Sequence, residues 1–303
     1  MTRKFKPSLC CISIALQNLG VKAQTMTASR FAQLGRQAGL NRLADIYVNN
    51  LCNLRSLISY CGQNNWNLRI SSDLLPLYTL PALDCDLLDF PKVDYILELF
   101  EQNAKLIKQH KMRVSMHPDQ FVVPASANPD VRAKSITELE YHGLILDLLD
   151  APQSYDSPLN IHMNFYKGDR AAIIGYFTDS YSKLSLSVKK RLVLECEDKP
   201  NSWSVQELLS IHQTLGIPIT FDCLHHFNNP KGLTAVDAFN LCKKTWPVQP
   251  WFHYSWHRDD SLTAHADYCS DFPDFFNDDI TLDFEFKMKD LAIKKFLDER
   301  KTT

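Results

Sequence analysis

The sequence predicts an α/β chain folded as a closed TIM (β/α)8 barrel, and three observations carry that prediction. Short apolar runs alternate with longer amphipathic stretches along the whole chain, as strand and helix units do around a parallel sheet. The alternation supplies eight strand-like runs, which favours a closed barrel over an open doubly wound sheet. The length of 303 residues suits one barrel of roughly 250 residues with embellishments. No internal repeat, low-complexity tract or linker-like shift in composition divides the chain, so residues 1–303 read as a single domain.

Leu9 to Leu16 reads as the first strand. Asn41 to Cys61 is helical by its spacing, with Leu43, Ile46, Tyr47, Leu51, Leu54, Leu57 and Ile58 on one face. Leu68 to Ser71 is a short second strand and Lys92 to His110 a helix; Arg113 to Met116 is the third strand, followed by a helix from Asp130 to Leu149. Strands four to seven are Leu159 to Met163, Arg191 to Leu194, Pro218 to Phe221 and Trp251 to Tyr254. Helices are expected at Ala171 to Leu186, Ser204 to Leu215 and Thr234 to Lys244. Ile280 to Phe284 is the eighth strand and Lys287 to Arg300 the closing helix.

A composition of 45% hydrophobic and 22% charged residues describes a globular chain with a substantial core. The net charge of -2 lacks the basic excess common in nucleic-acid binders. It does not exclude that partner, because carboxylates that face cations are neutralised locally. Nine cysteines without a Cys-x-x-Cys pair suggest reduced thiols in a cytosolic protein. Cys10, Cys11, Cys196 and Cys223 lie in apolar runs and are expected as small core residues. The basic stretch from Met1 to Pro7 lacks the apolar region and cleavage site of a signal peptide, and no run reaches the ~20 apolar residues of a membrane span. A soluble, cytoplasmic protein is therefore expected.

The chemistry is written at the ends of the strands. RVSM leads to His117, Pro118, Asp119 and Gln120; LNI to His162; RLVL to Glu195; and PITF to Asp222, with His225 and His226 beyond. The seventh strand carries His253, with His257 and His265 in the following loop, and the eighth leads to Glu285. In a TIM barrel these ends converge on the face where active sites are built. Any one His is more often an ordinary polar residue, and Asp119 or Asp222 taken alone is more often a helix cap. Six successive strands ending in such groups are poorly explained by capping, because clustered carboxylates and imidazoles are costly to bury without a cation. The excess of donors suggests two or three divalent ions, with Glu195 central and bridging; such sites catalyse in-line displacement at phosphorus. Mixed His and carboxylate ligands suit manganese, zinc or cobalt. His110, His142 and His212 lie in helical stretches and are given no role.

The ordered segments SMHPDQFVVP, NIHM, LVLECEDK, ITFDCLHHFNNP, FHYSW, AHAD and DFEFKMKD resemble the ultraviolet damage endonuclease family, and the match spans nearly the whole chain. That family consists of TIM barrels related to endonuclease IV and to xylose-isomerase-like barrels, which use divalent metals, commonly manganese, to cut DNA immediately 5′ to pyrimidine dimers. The resemblance implies ligands at His117, His162, Glu195, Asp222, His225, His253, His265 and Glu285, with Glu195, Asp222 and Glu285 closest to the catalytic chemistry. Asp222, His253 and Glu285 are expected on one side of Glu195, His117 and His162 on the other, and His225 and His265 at a third ion. It also implies that Gln120 probes damaged duplex DNA, that Phe121 stacks or wedges against bases, that Asn18 probes from the first loop, and that Lys287 and Lys289 contact phosphates. A monomer is expected.

Four positions depart from the family pattern. Phe121 and Ile14 stand at or near positions where tyrosines are frequent, and Leu80 and Trp251 where some members offer a His ligand and a modifiable lysine. Two alternatives stay open: a metal-dependent sugar isomerase or epimerase on the same barrel, and a metal-bound barrel that recognises DNA without cutting it.

Overall fold

Strand β1 (Lys6–Cys10) is shorter than its apolar run predicts. The chain turns at Cys11, whose φ of 67° leaves the extended region. Ser13 then caps helix α1 (Ile14–Asn18) by accepting the Leu16 N–H at 3.1 Å, and buried Asp290 accepts the Ile14 N–H at 2.6 Å. Ile14 and Leu16 are thus helical, because two oxygens compete successfully for amides that a strand would need. The structure is a computed structural model describing residues 4–165 and 167–300.

Helix α2 (Ala28–Leu34), which hydrophobic periodicity does not reveal, ends at Gly35, φ 76°. Helix α3 (Arg36–Gln63) restarts there, earlier than Asn41. Next come β2 (Asn67–Ile70), α4 (Val93–Gln109), β3 (Val114–Met116), α5 (Pro129–Leu148) and β4 (Leu159–Ile161). The expected helix over Ala171 to Leu186 divides into α6 (Arg170–Lys183) and α7 (Leu186–Lys189), because Leu184 is extended and Ser185 caps a new turn. Strand β5 (Leu192–Glu195), α8 (Val205–Leu215) and β6 (Ile219–Thr220) follow. Helix α9 (Cys223–Asn228) is an unexpected short turn capped by Asp222, and α10 (Ala235–Lys244) leads to β7 (Trp251–Tyr254). A hairpin of β8 (His257–Arg258) and β9 (Ser261–His265) precedes β10 (Thr281–Phe284) and α11 (Lys289–Glu299).

Eight strands form one parallel sheet in the order β6-β5-β4-β3-β2-β1-β10-β7. Its two edges meet at a parallel bridge between Asp222 and His253, where the His253 N–H donates to the Phe221 carbonyl at 3.0 Å. The sheet is therefore a closed ring, the (β/α)8 barrel expected. Residues two apart on a strand share a face, so inward positions stack in layers. At the N-terminal end of the barrel, Arg113 donates to the Gln249 carbonyl and the Thr281 hydroxyl at 3.0 and 3.1 Å, and its guanidinium lies 5.2 Å from the Trp251 ring centroid. Trp251 thus forms part of this floor.

Among the described residues no α-helix joins β7 to β10; the hairpin and an irregular, acidic and aromatic segment take its place. Phe272 packs 4.8 Å from Phe296 and 5.2 Å from Phe5, Phe275 lies 5.1 Å from Phe239, and Phe276 lies 5.3 Å from Tyr254. Aromatic area covers the outside of the strands where a helix would otherwise stand. No helix among the described residues is long and apolar enough to cross a membrane. Replacing the fully buried Phe276 by Ala should cost about 3–5 kcal/mol in a urea titration. A loss below about 1 kcal/mol would show that the segment only drapes over the barrel.

Candidate metal centre

Glu195, the last residue of β5, is 1% exposed and stands at the centre of four imidazoles. Its Oε1 lies 3.1 Å from His225 Nδ1. Its Oε2 lies 3.1 Å from His117 Nε2, 3.1 Å from His253 Nδ1 and 3.6 Å from His162 Nε2. The two oxygens therefore face different sides of the cluster. Asn160, two residues before His162 on the same inward face, also donates to Oε2. His253 Nδ1 lies 3.3 Å from Glu285 Oε1, and its Nε2 lies 3.4 Å from Asp283 Oδ2. Arg69 donates to Glu285 and approaches Asp283 at 3.3 Å.

Potential ligand atoms converge in four overlapping groups among the described residues: His117, Glu195 and His253; His162, Glu195 and His225; Asp222, His253 and Glu285; and Cys10, Asp283 and Glu285. His117 and His162, expected on one side of Glu195, both face its Oε2 with ring centroids 5.2 Å apart, and His253 reaches the same oxygen. His265 joins no such group among the described residues; its Nδ1 pairs with the Glu285 carbonyl at 2.6 Å. His117 Nδ1 likewise meets the Pro118 carbonyl at 2.9 Å, and His225 Nδ1 the Cys196 carbonyl at 2.9 Å. In His117 the Nδ1–H held by a carbonyl turns the Nε2 lone pair toward Glu195, a common preparation of histidine for a metal, whereas His225 shares its Nδ1 between Cys196 and Glu195. The remaining strand-end histidines point elsewhere: His226 meets the Leu233 carbonyl, and His257 stacks on Phe227.

The residue types fit divalent cations on a physical test. Asp222 Oδ2, His162 Nδ1 and His253 Nδ1 are buried without an aligned hydrogen-bond partner in the protein, a costly arrangement unless a cation completes it. Charge tells the same story. Burial alone would lower His253, but Glu195 and Glu285 outweigh it and raise its pKa to about 9. Burial lowers His225 as well, yet Asp222 and Glu195 lift it well above the usual histidine value. At His162 burial wins and the pKa falls to about 3. Burial would raise Glu195, and the surrounding imidazoles instead hold it well below the carboxylate range. At Glu285, Arg69 outweighs burial in the same direction. Without a cation, protonated imidazoles neutralise the carboxylates.

The predicted DNA-facing residues sit around this mouth. Gln120 and Phe121 are exposed on the loop after β3, with Phe121 79% accessible, and Asn18 is exposed at the end of α1 rather than on a loop. Lys287 is exposed and Lys289 half-buried after β10. Leu80 lines a groove with Tyr78, Phe121 and Glu138 beside the β3 loop. Sequence reasoning missed Arg69, Asn160 and Asp283. Asn160 and Asp283 lie two positions before His162 and Glu285, so the alternation of inward residues was the available signal. Arg69 had no motif to announce it.

A family model described as UV-endonuclease UvdE matches residues 5–302. The UV DNA damage endonuclease of Bacillus cereus (strain G9842) is 31% identical over 290 residues, covering 91% of this chain and 89% of that protein. The crystal structure of SacUVDE superposes with a TM-score of 0.84 at 28% identity, covering 99% of this chain and 100% of that one. Endonuclease IV from Thermus thermophilus has a TM-score of 0.56 at 11% identity, over 82% of this chain and 95% of that one, a likeness of fold.

Raised histidine pKa values fix the sign of two pH effects. His253, at about 9 when folded against an ordinary value of 6.5, stabilises the metal-free fold fully below 6.5, and that contribution disappears as pH rises through about 9. A cation must displace those protons, so Mn²⁺ added to chelated protein at pH 7 should release on the order of one proton or more per chain. Calorimetry in buffers of different ionisation enthalpy reads the release, and a value of zero would contradict protonated His253 and His225.

Proposed function

The chain belongs to the UV-endonuclease UvdE family, and from that premise we propose that it is a metal-dependent DNA repair endonuclease that cuts duplex DNA immediately 5′ to UV photoproducts. The observation that carries this reading is the buried Glu195 carboxylate with four imidazoles around its two oxygens at the open end of the barrel. Bound divalent ions, manganese in this reading, would lower the pKa of water and stabilise the leaving oxygen of a phosphodiester.

The chain's own residues divide the remaining work. Glu195 would serve two cations, since its Oε1 and Oε2 face different histidines. Asp222, His253 and Glu285 form one ligand set, and His162 and His225 complete another with Glu195; His117 stands with His253 on the Oε2 side. His265 adds a donor from the hairpin. Asp222 also fixes the start of α9 by accepting the His225 N–H at 2.7 Å, which places that imidazole against Glu195. Gln120 and Phe121 enter the duplex where a lesion has already weakened stacking, and Asn18 approaches from the β1 side. Lys287 and Lys289 meet phosphates as point charges. The chain acts as a monomer in the cytoplasm. Family membership disfavours the sugar isomerase, and turnover separates cutting from recognition alone.

The decisive experiment is nicking of a labelled duplex carrying one cyclobutane pyrimidine dimer, after chelation and with Mn²⁺ restored. A manganese-dependent cut 5′ to the dimer is expected, with none in an undamaged duplex; no cut with any divalent metal would refute the endonuclease. Glu195→Gln should abolish nicking while the far-UV spectrum is retained, and unchanged turnover would refute its role as bridging carboxylate. Phe121→Ala should weaken binding of the damaged duplex by about 5- to 100-fold through lost base stacking. Equal loss of affinity for undamaged duplex would place Phe121 in general DNA contact instead.

A further inference from the structure

We propose that Asp283 and Arg69 form a positioning pair that holds His253 with Nε2 protonated and Nδ1 turned toward the cations, a role that rests on the metal-dependent reading above. Asp283 lies on β10 two residues before Glu285, on the same inward face and one layer deeper. Its register partner across the sheet is His253 itself. The imidazole spans the two layers, with Nδ1 at 3.1 Å from Glu195 and 3.3 Å from Glu285, and Nε2 at 3.4 Å from Asp283 Oδ2.

A neutral imidazole that gives its Nδ1 lone pair to a cation carries its one proton on Nε2, the nitrogen that faces Asp283 Oδ2 at 3.4 Å. That tautomer leaves the Nδ1 lone pair for a cation between Glu195 and Glu285, the carboxylate–histidine–metal arrangement. His253 is therefore set the opposite way from His117 and His265, whose Nδ1 atoms meet backbone carbonyls. Neither Asp283 oxygen makes an aligned hydrogen bond to any protein group, although the residue is fully buried. Its charge is answered by His253 and by Arg69 at 3.3 Å.

Arg69 gives the arrangement its second half. Cys10, Asp283 and Glu285 bring potential ligand atoms within 4.8 Å of one another, and this pocket already holds the Arg69 guanidinium. Arginine does not lose its proton in proteins, so the positive charge there is permanent. It reserves Asp283 for the histidine and ties Glu285 to the same anchor. A substitution at Asp283 therefore loosens one ligand without removing any.

The test needs no DNA. Protein labelled with ¹⁵N-histidine and loaded with Zn²⁺ is read by long-range ¹H–¹⁵N correlation, with His253 assigned by loss of its signal in His253→Asn. The expected spectrum shows His253 with its proton on Nε2 and metal on Nδ1; a proton on Nδ1 with metal on Nε2 overturns the proposal. Asp283→Asn should weaken one class of Mn²⁺ site by about 10- to 100-fold, read from free Mn²⁺ by electron paramagnetic resonance. Wild-type Mn²⁺ affinity with a lowered melting temperature of the metal-free variant would instead make the pair a structural ion bridge. If His253 and the Mn²⁺ affinities behave as expected but damaged duplex is not cut, the nuclease reading fails and the positioning pair stands.

Discussion

A carboxylate inside a barrel is the constraint around which this molecule is organised. Glu195 is buried at the end of a central strand, where an unpaired charge would be prohibitively costly. Neighbouring strands answer it with imidazoles: His117 after β3, His162 after β4, His253 on β7, and His225 from the short helix after β6. A second carboxylate, Glu285, is answered by Arg69 from β2. Almost the whole ring is thus committed to one charge balance at its C-terminal mouth. The opposite end is closed around the Arg113 guanidinium, which donates to Gln249 and Thr281 and has the Asp156 carboxylate 4.0 Å away. Burial lowers the Arg113 pKa to about 10, which leaves it charged at neutral pH. The two ends are electrostatically distinct, and chemistry is confined to the mouth.

Much of this was legible in the sequence because a parallel barrel writes it twice. Each buried strand appears as an apolar run, and each run ends in the residue it delivers to the mouth. Strands such as Leu192–Glu195 and Trp251–Tyr254 were therefore found together with Glu195 and His253. The failures have equally local causes. The first strand stops early because Ser13 and Asp290 capture helix amides, and the Asp290 contact spans most of the chain. Helix α9 is too short to show periodicity, although Asp222 at its start is a residue type that favours helix caps. That His253 reaches the same Glu195 oxygen as His117 and His162 depends on how side chains lean across the lumen, which spacing along a strand does not encode. Arg69 and Asp283 are matters of depth within the barrel. Sequence alternation gives the face, while depth follows from register between strands.

The departures from the family pattern acquire physical settings. Trp251 is part of the barrel floor, stacked with Arg113. Leu80 borders a groove of mixed polar and aromatic lining beside the loop that carries Phe121, and it adds apolar surface there where an imidazole would offer coordination. Ile14 belongs to a helix anchored by Asp290. The acidic, aromatic stretch before β10 replaces a helix with phenylalanine packing, which accounts for its composition without assigning it a ligand.

The junction of β6 with β7 has a mechanical meaning. That seam is carried by one bridge, and the two residues that make it, Asp222 and His253, also face the same cation group. A cation gripped by both side chains works as a clasp across the seam, so loading the ion and fastening the hoop become a single act. An empty hoop can breathe there; a filled one is cinched. On the proposed nuclease reading, the mouth that meets the duplex would take its rigidity from the same ions that serve its chemistry, and losing them would slacken the jaw as well as silence it.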